Sequence, residues 1–507
     1  MRLTLYYVAV LSAVSSISAV SPYDTKPKVD STVLQAQVKL SKLLGHAKAL
    51  EAIAYKTPDR NRAMGTPGHE ATVKYIKDQL TLPVLENYYD VTLQTFNFSI
   101  MDSAVASVVI DGKNTTVKIG YDSPSGKFNT SIVLILNNGC DESDYPPSVK
   151  GKIALIIRGR CIFADKSSLA GRQGAVAVIV YNNGPGTFSF TVEDKPAFGP
   201  LVPIVSISGE DGNTLVDSIK KGHVLNAEFD VKTSLRFVNS TNILAQSKHG
   251  DPENILQLGA HSDSVPAGPG INDDGSGVSA LIEVAILLSG YKIRNRVVFS
   301  WWTGEELGDV GSDKWVVSKS DQDLLKIKAY LNFDMLASPN FEYQVLDGDG
   351  AVFNKPGPAG SASIEKLFID YLKGRGLNYS FSEVEGPSDF EPFQFVDVPI
   401  GGLSTGDDKN KTKEGVEKFG GVEGQKFDPN NHSARDTVAN LNTTAFLTCT
   451  QAVAHAVATY ANSFESIKYP GTKREVTTAE KRKRDAARTA RMAGRPVVRR
   501  KKVYYRI

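Results

Sequence analysis

The stretch NILQLGAHSDSVPAGPGINDDGSGVSALIEVAILLSG (254–290) decides the fold. Its opening run, 254–260, is short and apolar and reads as a buried strand. Its closing run, 277–290, carries apolar residues at helical spacing and reads as a helix. Between them lie His261, Asp263, Asp273 and Asp274. The same alternation continues downstream. RVVFSWW (296–302) and KAYLNFDML (328–336) read as strands, SASIEKLFIDYLKGRG (361–376) as a helix, VPIGGLSTG (398–406) as a short strand and 443–461 as a last helix. This order predicts an α/β fold, with a mixed, mostly parallel sheet and helices on both faces.

Upstream the texture differs. Residues 32–55 and 69–81 read as helices and DVTLQTFNFSI (90–100) as a strand. From 102 to 236 short β-rich runs alternate with Gly, Pro and Asn turns, which predicts a separate β-rich module inserted after the N-terminal helices.

Polar residues gather where the strands of the α/β part end, the place where open α/β sheets bind ligands. His261 and Asp263 end the first strand, and Asp273 precedes the helix. Glu305 and Glu306 in WWTGEELG end the second strand, and Asp334 in LNFDM ends the third. His432, in DPNNHSARD (428–436), is a candidate fifth contributor. Imidazoles and carboxylates without thiolates suit zinc or another borderline-to-hard divalent ion. There are enough donors for two ions sharing a bridging Asp, a pair that sits roughly 3.5–4 Å apart. Adjacent Glu305 and Glu306 point to opposite sides of an extended strand, so one can ligate while the other acts as general base.

These motifs, in this order, closely resemble the co-catalytic dizinc aminopeptidases, above all the secreted fungal leucine aminopeptidases and the vacuolar aminopeptidase Y type. The 102–236 module, with GRCIFADKSSLAGRQGAVAVIVYNN, resembles the protease-associated domain those enzymes carry. The resemblance implies two zinc ions per chain, one held by His261 and Asp334, the other by Glu306 and His432, with Asp273 bridging. It implies Glu305 as general base, Asp263 as the carboxylate orienting His261, and a cis peptide between Asp273 and Asp274. It also implies hydrolysis of the N-terminal peptide bond of peptides with a free N-terminus, with a preference for apolar residues such as Leu. The alternatives are a dizinc carboxypeptidase or aminoacylase, and a catalytically impaired binding relative.

Three departures stand out. Many relatives place a Tyr before the last metal His, where its hydroxyl holds the oxyanion, and this chain has Asn431. Several flank that His with two cysteines, where this chain has Asn430 and Arg435. Relatives read Gly-Arg-Ser-Asp where this chain has Pro387 before Ser388 and Asp389. Asn431, Ser388 and Asp389 are therefore candidate oxyanion or substrate residues.

The bulk properties fit an exported enzyme. Residues 1–19 read as a signal peptide, too short for a membrane span. Asn97, Asn114, Asn129, Asn239, Asn378, Asn410 and Asn442 each open an N-x-S/T sequon, and such acceptors sit in surface loops of secreted proteins. The sequon at Asn431 is discounted, because a glycan there would block the cleft. Export permits a disulfide between Cys140 and Cys161, while Cys449 reads as a small core residue. Residues 473–507 hold 14 Lys and Arg against 3 Asp and Glu. That balance of +11 leaves −9 for the rest of a chain whose net charge is +2. The 466–507 tail reads as disordered and not as a nucleic-acid or membrane contact. The expected divisions are 20–101, the 102–236 insert and a 237–465 peptidase domain, in a secreted or vacuolar monomer.

Overall fold

The computed structural model describes residues 23–192, 198–384, 386 and 388–468. The signal peptide, Pro387 and all but the first residues of the basic tail lie outside that set. Three helices come first: α1 (Ser31–Gln37), α2 (Leu40–Tyr55) and α3 (Pro67–Leu80). Strand β1 (Tyr89–Ile110) leads into β2 (Lys113–Asn114), β3 (Lys118–Ile119), β4 (Gly126–Leu134), β5 (Ile153–Ile157), α4 (Phe163–Arg172), β6 (Ala177–Tyr181), β7 (Ile204–Ile207) and α5 (Gly209–Lys220). The chain returns along β8 (Asn226–Ser247). It then builds β9 (Asp251–His261), α6 (Gly275–Leu288), β10 (Asn295–Trp302), α7 (Val310–Val317), α8 (Asp321–Lys326), β11 (Ile327–Phe333), β12 (Gln344–Leu346), α9 (Ser361–Gly374), β13 (Ser380–Ser382), α10 (Glu391–Phe395), β14 (Ile400–Ser404), α11 (Lys413–Phe419) and α12 (Thr443–Asn462).

The sheet is mixed. β9 lies between β10 and β11 and is parallel to both, and β11 is parallel to β14. β8 adds antiparallel beside β10, and β12 antiparallel beside β14. Both faces are covered. Leu256, Leu258, Val297, Phe299 and Trp301 face a core shared with α6 and α12, while Val298, Trp302 and Tyr330 face one shared with α7 and α10. Burial on both faces is why these strands read as near-continuous apolar runs. α6 is buried all round from Gly275 to Ala285. Leu281 and Ile282 alone contribute roughly 1.5–3 kcal/mol each by leaving water.

Several features differ from the sequence reading. The run 32–55 is two helices, because Val38 and Lys39 are extended between α1 and α2. Glu305 and Glu306 lie in a turn past the end of β10 and not on an extended strand. The strand predicted at 90–100 continues through 104–110, inside the expected insert, as one strand. β1 pairs with β8 along 21 residue pairs, interrupted only by a register shift at Met101/Ser103. Asp102 is the extra residue of that bulge, which puts the alternation out of phase and makes the strand look broken. The inserted module also contains helices α4 and α5 beside the parallel strands β4, β5, β6 and β7. α4 holds Lys166, Ser167 and Ser168 inside the protein, so burial overrides the polar appearance of its sequence.

Cys140 and Cys161 form a disulfide across 21 residues, and Cys449 is buried in α12. A Cys140→Ser/Cys161→Ser protein is expected to lose about 3 kcal/mol of stability in the inserted module, measured by denaturant unfolding with and without reductant. Of the sequon asparagines, Asn442 is half-buried and caps α12 through Ala445 N–H, and the others are exposed. Asn97 and Asn239 are direct cross-strand partners, with Asn97 Nδ2 donating to Asn239 Oδ1 at 3.3 Å.

Candidate active site

A cleft of about 1800 Å³ opens over the ends of the central strands, lined by Asp263, Asp273, Glu305, Glu306, Asp334 and His432 among others. β9 ends on His261, so its ring enters the site directly from the sheet. Asp273 sits just before α6, and the helix N-cap is its neighbour Asp274. The Asp274 carboxylate accepts from Gly277 N–H at 2.8 Å, Met335 N–H at 3.2 Å and His261 N–H at 3.2 Å. One side chain thus ties three site segments together. The Asp273–Asp274 peptide is cis, as the resemblance implied.

The Asp273 carboxylate lies between two imidazoles. Its Oδ1 is 3.0 Å from His261 Nε2, and its Oδ2 is 3.0 Å from His432 Nε2. Asp334 Oδ1 stands 3.5 Å from His261 Nε2, and Glu306 Oε2 is 3.2 Å from His432 Nε2. Two triads therefore share Asp273: His261, Asp273 and Asp334, and Asp273, Glu306 and His432. Within each, the donor atoms all lie within 4.8 Å of one another. Glu305 Oε2 is 4.0 Å from His261 Nε2. All five candidate ligands and Glu305 come together.

The donor set fits a divalent cation. His261 Nε2, Glu306 Oε1 and Asp334 Oδ1 are buried without a hydrogen-bond partner, and buried polar atoms are normally paired. Burial works against a charge on His432, yet the Asp273 and Glu306 carboxylates push its imidazole up to about 11. Burial likewise opposes charge on His261, and Asp334, Asp263 and Asp273 push it well up. Burial and the nearby Asp273 raise Glu306. The pocket therefore favours positive charge at the place where both triads converge.

Asp263 touches two of the site segments. Its Oδ1 accepts from Gly304 N–H at 2.8 Å and Glu305 N–H at 3.3 Å, fixing the turn that presents Glu305. His261 Nδ1 lies 3.2 Å from the Asp263 carbonyl oxygen and 3.7 Å from the carboxylate. Ser388 Oγ donates to Asp334 Oδ2 at 2.7 Å and accepts from Asn332 Nδ2 at 2.9 Å. Asp389 is buried, accepts from Ser312 Oγ at 2.5 Å and is not among the cleft-lining residues. Asn431 lines the cleft, but its Nδ2 donates to Met335 Sδ at 3.2 Å, and its Oδ1 has no partner.

Several supporting residues carry no sequence signal that reveals them. Arg62 is fully buried and donates to the carbonyls of Pro269 at 2.8 Å, Ser262 at 2.6 Å and Gly270 at 2.5 Å, stapling the loop between His261 and Asp273. Asp436 accepts from Asn272 N–H at 2.7 Å and Asp273 N–H at 3.0 Å, and Asp428 accepts from Asn272 Nδ2 at 2.7 Å. The acids at the two ends of 428–436 thus dock that segment onto Asn272 and the backbone of Asp273. The left-handed φ of 53° at His432 turns the chain between them.

Comparison with known proteins agrees with this geometry. The model of peptidase family M28 matches residues 242–457, and that of the PA domain matches 128–215. The chain is 42% identical over 463 residues to a protein of Aspergillus fumigatus named "Probable leucine aminopeptidase 2", covering 91% of this chain and 90% of that one. It is 41% identical over 444 residues to leucine aminopeptidase 2 of Arthroderma otae, covering 86% and 87%. Among solved structures, the aminopeptidase from Aneurinibacillus sp. strain AM-1 superposes with a TM-score of 0.60 at 24% identity, covering 88% of this chain and 99% of that one. Sequence motifs, site geometry and close relatives together place this chain in peptidase family M28, as a PA-domain-containing member akin to fungal leucine aminopeptidase 2.

Proposed function

We propose that the chain is a zinc aminopeptidase that binds two zinc ions and releases apolar N-terminal residues such as Leu from peptides with a free N-terminus. The observation that carries this reading is the Asp273 carboxylate, 3.0 Å from an imidazole on each side, with Asp334 and Glu306 completing the two triads. His261 and Asp334 would hold one ion and Glu306 and His432 the other, with Asp273 shared. Bound there, zinc would polarise the scissile carbonyl and make water a nucleophile near neutral pH.

The chain's own residues do the rest. Glu305, held in its turn by Asp263, takes a proton from the attacking water and returns it to the leaving amine. The carboxylates of Glu305 and Asp334 face the cleft and attract the substrate's α-ammonium group, which favours action at the free N-terminus. Ser388 spends its hydroxyl on Asp334 Oδ2, leaving Oδ1 for the metal. Ser388 is therefore assigned to ligand positioning and not to the oxyanion. Ser388→Ala is expected to weaken zinc at this position by about 10–100-fold, measured by competition with a chromophoric chelator.

The two family matches, at 128–215 and 242–457, support division into 20–101, the insert at 102–236 and a peptidase domain at 237–465, with β1 and β8 running through the two borders of the insert. The exposed sequons support a secreted or vacuolar glycoprotein, with at most one glycan on the Asn97–Asn239 pair. We take the chain as a monomer that contacts neither nucleic acid nor membrane. Among the described residues no helix is long and apolar enough to cross a membrane.

The test is a screen of the purified protein on aminoacyl substrates and on N-terminally blocked peptides, with and without chelator. Leu release that stops on chelation is expected. Cleavage of blocked peptides from their C-terminal end would overturn the proposal.

A further inference from the structure

A second group of carboxylates stands apart from the His261–His432 cluster. Asp347 follows β12, Asp349 lies two residues on, and Glu365 comes from α9. One oxygen from each lies within 4.8 Å of the others. Asp347 is fully buried and Glu365 is 6% exposed. Asp347 Oδ2 accepts from Val352 N–H at 3.2 Å and Phe353 N–H at 2.8 Å. Its Oδ1 is buried and has no hydrogen-bond partner. Glu365 Oε2 accepts from Asp349 N–H at 2.9 Å, and Asp349 Oδ1 from Ala351 N–H at 2.8 Å. Among the described residues no Lys, Arg or His is ion-paired with any of the three.

Three crowded carboxylates, one wholly out of water with an orphaned oxygen, are electrostatically incomplete. Backbone amides satisfy part of each group and neutralise none of them. The donors are all oxygen, so the set suits a hard ion and lacks the nitrogen or sulfur of a typical zinc site. They come from an irregular Asp-Gly-Asp-Gly turn and a helix. Calcium tolerates such a variable arrangement, whereas magnesium demands a near-ideal octahedron.

We propose that Asp347, Asp349 and Glu365 bind one calcium ion, which braces the loop behind the wall of the cleft. The connection to that wall is direct. Leu346 and Ser382 line the cleft, and Asp347 N–H donates to the Ser382 carbonyl at 2.9 Å.

The test titrates calcium chloride into zinc-loaded, calcium-free protein by calorimetry, with thermal unfolding in parallel. The expected result is one calcium per chain with a Kd on the order of 10⁻⁴–10⁻³ M, as in extracellular modules. Unfolding should shift upward by a few degrees in saturating calcium. Asp349→Asn and Asp347→Asn should each weaken binding at least about tenfold. Asp349 is exposed, so its variant keeps the fold if burial makes the Asp347 variant unstable. No binding by the wild-type chain, or unchanged affinity in either folded variant, overturns the site. Because the readout is calcium binding, this result is independent of whether the chain hydrolyses peptides.

Discussion

Glu305→Gln protein should bind zinc like the wild type and turn over peptide about 10²–10⁴-fold more slowly. The substitution changes one atom, keeps the side chain's length and removes its ability to take a proton. Glu305 belongs to neither of the two triads that share Asp273, so metal content should not change. Its backbone N–H is held by Asp263, and that contact survives. Single-turnover kinetics should show the loss in the chemical step and not in substrate binding. Loss of zinc from this variant would mean that Glu305 is a ligand, and the division of labour between the adjacent glutamates would have to be reversed.

The second large effect is a gain. Asn431→Tyr should raise kcat, by on the order of 10², the lower end of what one oxyanion donor contributes. In this structure the Asn431 amide donates to the Met335 sulfur, and we propose that it does not supply the oxyanion donor that the resemblance implies for a Tyr there. A Tyr at the same cleft-lining position would carry a longer side chain with a hydroxyl to donate. Removing the amide with Asn431→Ala should change kcat little. A large loss in Asn431→Ala, measured with a Leu substrate, would show that the amide already holds the oxyanion.

The site residues that sequence could reveal are those whose chemistry coincides with a periodic element. His261, Glu305, Glu306 and Asp334 follow the apolar strands β9, β10 and β11 closely, so the end of each run points to them. His432 has no such marker. It lies in an irregular loop, where residue type made it only a candidate and the family likeness gave it a role. The shell behind the ligands was harder to see for the same reason. Arg62 sits in an aperiodic segment about 200 residues before the carbonyls it holds, and a lone Arg there looks like a solvated charge. Asp274 and Asp436 bond to backbone N–H groups, contacts that leave no trace in composition or spacing. The mixed sheet was legible because two-sided burial gives continuous apolar runs. The continuity of β1 was not, because one bulged residue, Asp102, breaks the alternation.

Titration of metal-free protein with zinc, following release of Leu from a Leu-initiated peptide, tests the central claim most directly. If Asp273 joins two ions, activity should rise with added zinc and level off at two per chain. Full activity in the absence of metal, or a plateau at one zinc per chain with no further change, would contradict the shared-carboxylate site.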